Sequence, residues 1–118
     1  MATVYIVNKG GHDHIDAERF GNLLFLSEGA INRYSTGNIY RKFVSVLDNS
    51  LPGDYILITG LSVMSSIACS IFARKHGRLN LLLYKTSHDD IVGNYYIERT
   101  LMLDELMKGD KDEYKTDQ

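Results

Sequence analysis

A chain of 118 residues, 44% of them apolar and 24% charged, is long enough for one hydrophobic core and too short for two, so a single compact domain is expected. Its formal net charge of −2 speaks against general binding to DNA or RNA, which draws on a clustered basic surface. A lone cysteine excludes an internal disulfide, and no apolar run approaches the roughly 20 residues that cross a bilayer.

With no basic leader ahead of an apolar segment, the chain reads as cytosolic. Residues 3–8 carry apolar side chains on both faces, as a central strand covered on both sides requires. Gly10 and Gly11 break that strand, and Asp16 is placed to cap a short helix ending at Phe20. Residues 22–27, with Leu23, Leu24, Phe25 and Leu26, are too few for a helix and read as a second buried strand.

Thr36–Leu47 sets Ile39, Tyr40, Phe43, Val44 and Leu47 at the spacing of an amphipathic helix, and Pro52-Gly53 stops the chain from continuing it. Residues 54–59 form the next strand. Ser62 caps a helix whose apolar side holds Val63, Met64, Ile67, Ala68, Ile71 and Phe72, and which Gly77 ends after Arg74, Lys75 and His76. Cys69 lies on that helix among apolar neighbours and reads as a buried small hydrophobe.

Residues 79–84 are nearly all apolar and form an interior strand, so strand, helix and strand make a right-handed parallel crossover. Residues 94–103 alternate like a more exposed edge strand, returned antiparallel by the loop at 86–93. A short helical turn follows at 104–107, and 108–118 is a charged tail expected to be flexible. The fold class is α/β: a small three-layer, Rossmann-like sheet, mostly parallel with an antiparallel edge strand, in one domain spanning 1–107.

In such sheets ligands gather outside the C-terminal ends of parallel strands, which here means the loops at 8–14 and 59–66. Thr59, Gly60, Ser62 and Ser65 can offer backbone donors and hydroxyls to a phosphate, with Asn8, Lys9 and Gly10 opposite. A turn glycine and an N-cap serine are the plainer account of the same residues. Neither the phosphate loop ending in Lys-Ser/Thr nor the three-glycine dinucleotide fingerprint is present.

His12-Asp13-His14 is the most reactive-looking cluster, and His12 and His14 are the candidate acid and base if the chain catalyses anything. Two imidazoles one residue apart are too few to specify a metal, so neither a metal nor an organic cofactor is expected. Arg33, Tyr34, Tyr40 and Arg41 combine guanidinium and aromatic groups of the kind that stack bases and pair phosphates, with Tyr40 better placed for core packing. Tyr84, Tyr95 and Tyr96 at the sheet edge favour a homodimer.

Residues 58–65, Ile-Thr-Gly-Leu-Ser-Val-Met-Ser, resemble the strand-to-helix motif of CRISPR-associated Rossmann-fold domains, which reads Thr-Gly-Gly-Thr-Lys-Met. Thr59, Gly60, Ser62 and Met64 match it, while Leu61 stands for the second glycine and Val63 for the lysine. The resemblance implies a pocket for a cyclic oligoadenylate at a dimer interface, and a sensor, sequesterer or ring nuclease in antiviral defence or counter-defence. The expectation is therefore a binder of a nucleotide-type anion, with a non-enzymatic accessory factor or inhibitor of viral or mobile-element origin as the alternative.

Overall fold

The computed structural model describes residues 1–9, 13–87, 91 and 93–103. Five strands, β1 (Thr3–Ile6), β2 (Asn22–Phe25), β3 (Tyr55–Leu57), β4 (Arg78–Lys85) and β5 (Tyr95–Met102), make one sheet in the order β2-β1-β3-β4-β5. All neighbours are parallel except β4 and β5, which run antiparallel with Leu82 opposite Glu98. This is the α/β, mostly parallel sheet with an antiparallel edge strand that the sequence leads one to expect.

Helix α1 (Thr36–Leu47) joins β2 to β3, and α2 (Ser62–His76) joins β3 to β4. Both pack on one face, where Ile39, Phe43, Leu47, Met64, Ala68 and Phe72 meet Tyr5, Val7, Leu26 and Ile56. The other face buries Val4, Ile6, Leu57, Leu82 and Tyr96 against Ala17 of a 3-10 helix, Ile15–Arg19, which forms the third layer. Residues 4 to 7, in β1 and just past its end, thus feed the two cores alternately, the physical reason for their apolar character on both sides.

Local differences from the sequence reading have identifiable causes. Asp16 does not cap a helix; it sits inside the 3-10 turn, and its Oδ2 accepts the Tyr96 backbone N–H at 2.7 Å. A long-range strand donor has outcompeted the local one. Ser62 is the first residue of α2 rather than its cap: Leu61 holds that position and supplies no side-chain hydrogen bond. Gly77 does end α2 in the left-handed region, at φ 67°, with its N–H donated to Ala73 O at 2.8 Å.

Regular strand ends earlier than expected at Ile6 and Phe25, although Lys9 N–H still donates to Ser27 O at 2.9 Å and a parallel bridge joins Lys9 to Glu28. Cys69 is packed against the helix-side core, and burial pushes its thiol up to about 11. The expected turn at 104–107 and tail at 108–118 lie outside the described residues. Among the described residues no helix is long and apolar enough to cross a membrane.

Candidate functional site

The sheet changes direction between β1 and β3. From β1 the chain crosses to β2 by way of the 3-10 helix on one face; from β3 it crosses to β4 through α2 on the other. The connections therefore diverge at the C-terminal ends of β1 and β3, the topological switch point at which open α/β sheets usually bind ligands. Lys9 follows β1 and Thr59–Gly60 follows β3 at that switch point.

On the β3 side lies an uncapped helix N-terminus. The first backbone acceptor in α2 is Leu61 O, which takes the Ser65 N–H at 3.0 Å, and no side chain caps the first turn. The leading N–H groups carry the positive end of the helix dipole, worth up to about 1 kcal/mol toward an anion at an exposed site. Gly60 is exposed, has no positive φ, and a Cβ built there meets nothing within 4 Å. The turn does not need glycine for its backbone; glycine leaves the approach to it open.

A cleft of about 170 Å³ sits over this turn, lined by Arg33, Tyr34, Gly60, Leu61, Ser62 and Val63. It is smaller than the several hundred Å³ of a pocket enclosing a whole drug-sized ligand, and roomy for a phosphate group. Arg33 supplies the cation: its guanidinium lies 5.3 Å from the Tyr34 ring centroid, and Nη2 donates to the Tyr34 hydroxyl at 3.3 Å. Both side chains are exposed, with Tyr34 at 80%. At the end of β3, Thr59 Oγ1 is buried with no hydrogen-bond partner among the described residues.

The remaining expected residues divide. Ser65 is buried, and its hydroxyl donates back to Thr59 O at 3.3 Å, fastening the turn. Asn8 is buried and occupied: Ser27 Oγ contacts its Oδ1 at 2.8 Å, and its Nδ2 donates to Gly29 O at 3.4 Å. It clasps the loops after β1 and β2. Lys9 Nζ lies 5.3 Å from the Phe25 ring centroid, whereas Phe25 packs against the core of the face opposite α1 and α2. Gly10 and His12 lie outside the described residues.

His14 is only 8% exposed and is hydrogen-bonded through Nδ1 to the Tyr96 hydroxyl at 2.9 Å, with its ring centroid 6.0 Å from that of Phe25. Burial above all, with Tyr84, Asp13 and Asp16 adding to it, pushes the Tyr96 phenol up to about 12. Arg19 donates to the Tyr96 carbonyl, so this cluster pins β5 to the 3-10 helix. The structure does not bring His14 to the cleft. It brings Arg33 and Tyr34 there, residues whose chemistry is legible in the sequence but whose position opposite Gly60 is not.

The model of the phage Pam3 gp32-like protein family matches residues 2–97. The chain belongs to that family. The matched span runs from β1 into β5 and includes both lips of the cleft, so the cleft is built within the family's own domain. No curated protein and no solved structure matches the chain.

Proposed function

We propose that this protein binds a small phosphate-bearing ligand of nucleotide type in the cleft between Arg33–Tyr34 and the start of α2. The observation that carries this reading is the convergence on one cleft of a guanidinium, an exposed aromatic ring and an uncapped helix N-terminus. These supply charge for a phosphate, a surface for a base, and directional N–H donors. A cyclic nucleotide is the finer form of the reading and draws on the likeness of residues 58–65 to CRISPR-associated domains. The reading is put forward for binding alone; of the two acid–base candidates, His14 is engaged with Tyr96 away from the cleft.

The test begins with the ultraviolet spectrum of the purified protein. The chain has no tryptophan, so a co-purified nucleotide dominates it and can be named by mass spectrometry of the denatured extract. Thermal shifts follow with linear nucleotides, cyclic nucleotides and inorganic phosphate. A true ligand at 100 times its Kd adds about 2.7 kcal/mol, a shift on the order of 10 °C. Gly60→Trp fills the cleft from a position with room for a Cβ, so it abolishes the shift while preserving the fold. A clean spectrum and no shift across the panel defeat the reading.

A second reading, a non-enzymatic accessory protein of a phage, is favoured by the family to which the chain belongs. It needs an interaction surface rather than a ligand.

A further inference from the structure

The two helices are charged in one sense only. Thr36–Leu47 and Ser62–His76 contain Arg41, Lys42, Arg74 and Lys75 and no aspartate or glutamate, although the chain holds 15 carboxylates against 13 lysines and arginines. The acidic groups all lie elsewhere, and Asp48, just past α1, is 4.0 Å from Lys75. The helix layer of a protein that is acidic as a whole is thus free of carboxylates, and with Lys75 Nζ held by the Leu47 and Asp48 carbonyls, Arg74 is the cation that lines the groove between the helices.

That face carries an apolar groove of about 310 Å³ between α1 and α2, lined by Tyr40, Ser66, Ile67, Ser70, Ile71 and Arg74. Tyr40 is 54% exposed, so it is not the core residue its place on the apolar stripe suggests. The groove floor offers few polar partners. Ser66 Oγ donates to Ser62 O at 2.8 Å and Ser70 Oγ to Ser66 O at 2.7 Å, which turns both hydroxyls into the helix's own backbone. What lines the groove is an exposed aromatic ring and two half-buried isoleucines, with Arg74 in the wall, while the Arg41 guanidinium is turned onto Asn38 Oδ1 at 2.6 Å.

We infer that this groove docks a protein segment that inserts an apolar side chain between Tyr40 and Ile71 and sets a carboxylate against Arg74. The inference rests on the accessory-protein reading and is independent of the nucleotide reading. Charge complementarity selects this occupant. A second copy of the same groove would set Arg74 against Arg74, and the lining of Ile67 and Ile71 beside a single guanidinium suits an apolar side chain rather than a phosphate backbone. An anchor in an apolar groove with a charged rim is the arrangement in which a few residues hold an interface.

The probe is a displayed library of random peptides selected against the full-length protein, with every enriched peptide then measured against three forms by fluorescence anisotropy. Peptides binding the wild type are expected to be net acidic with an aromatic or aliphatic anchor, to lose about tenfold or more in affinity for Ile71→Glu, and to do the same for Arg74→Glu. The exposed Arg74 position keeps the test valid should Ile71→Glu fail to fold. Nuclear magnetic resonance shifts on peptide addition are expected at Tyr40, Ile67 and Ile71. Enrichment without acidic bias, or affinities unchanged by Arg74→Glu, overturns the inference even where an interaction elsewhere keeps the accessory reading alive. A concentration-dependent dimer, or oligonucleotide binding, that Arg74→Glu abolishes assigns the groove to another occupant and overturns it equally.

Discussion

Which cation holds the phosphate is the sharpest test of the cleft, because sequence and structure nominate different residues. The sequence places Lys9 across from Gly60; the structure rests Lys9 over Phe25 and puts Arg33 in the cleft wall. A charge-assisted hydrogen bond to a phosphate contributes about 1.5–3 kcal/mol, so Arg33→Ala weakens binding by roughly 10- to 150-fold. Arg33 is exposed and, among the described residues, meets the equally exposed Tyr34, at its hydroxyl and over its ring, so the same substitution changes stability by no more than about 0.5 kcal/mol. Isothermal titration calorimetry with the nucleotide giving the largest thermal shift measures the first quantity, and urea denaturation the second. Lys9→Ala, measured alongside, leaves Kd within about twofold, since an exposed charge outside the site acts only through screened Coulomb attraction. The argument fails if Lys9→Ala weakens binding tenfold and Arg33→Ala does not; the ligand then lies on the β1 side of the switch point.

Two further predictions concern the opposite end of the sheet. Asn80 is 2% exposed and donates from Nδ2 to Pro52 O and Asp54 O, both at 2.7 Å, while its Oδ1 accepts from Arg78 Nη2 at 2.9 Å and Thr100 Oγ1 at 3.2 Å. Asn80→Asp removes both donors and leaves two carbonyls facing a carboxylate, at about 1–3 kcal/mol each. The urea midpoint falls accordingly with an unchanged m value; a change under about 0.5 kcal/mol contradicts the account. His76 is held below its ordinary value of 6.5 by burial first and by Lys75 second, with Asp54 opposing them. A lowered imidazole binds fewer protons folded than unfolded, so its contribution is present above the ordinary value and lost as pH falls through it toward the folded one. Urea midpoints measured across that range fall more steeply with acidification for the wild type than for His76→Gln, and parallel curves refute the assignment.

The parts legible in the sequence were those decided locally. The stripe through Ile39, Phe43 and Leu47 marks out α1 as Thr36–Leu47, and Gly77 stops α2 because its left-handed backbone suits glycine. The cleft was half legible: the strand, turn and helix around Gly60 could be read, but Arg33 and Tyr34 line it only through the tertiary fold, which sets the segment before α1 beside the start of α2. His14 illustrates the converse error. Next to His12 and Asp13 it looks like part of one polar cluster, yet the 3-10 helix beginning at Ile15 turns it into the core beside Tyr96. Asn80 gave no signal either, since a lone amide in an apolar strand announces nothing about the two carbonyls it must satisfy.

The outer strand β5 bears on how such a small sheet stays unaggregated. Two copies joined edge to edge in a symmetric antiparallel pair, with the sheet continuing flat, must set residues of the same parity opposite one another. The registers that pair the most of Tyr95–Met102 centre on Glu98 or on Arg99, so one brings two carboxylates together and the other two guanidiniums. Both side chains are exposed. Like charges meeting at the centre of these two registers therefore act against the most extensive self-pairing of this rim.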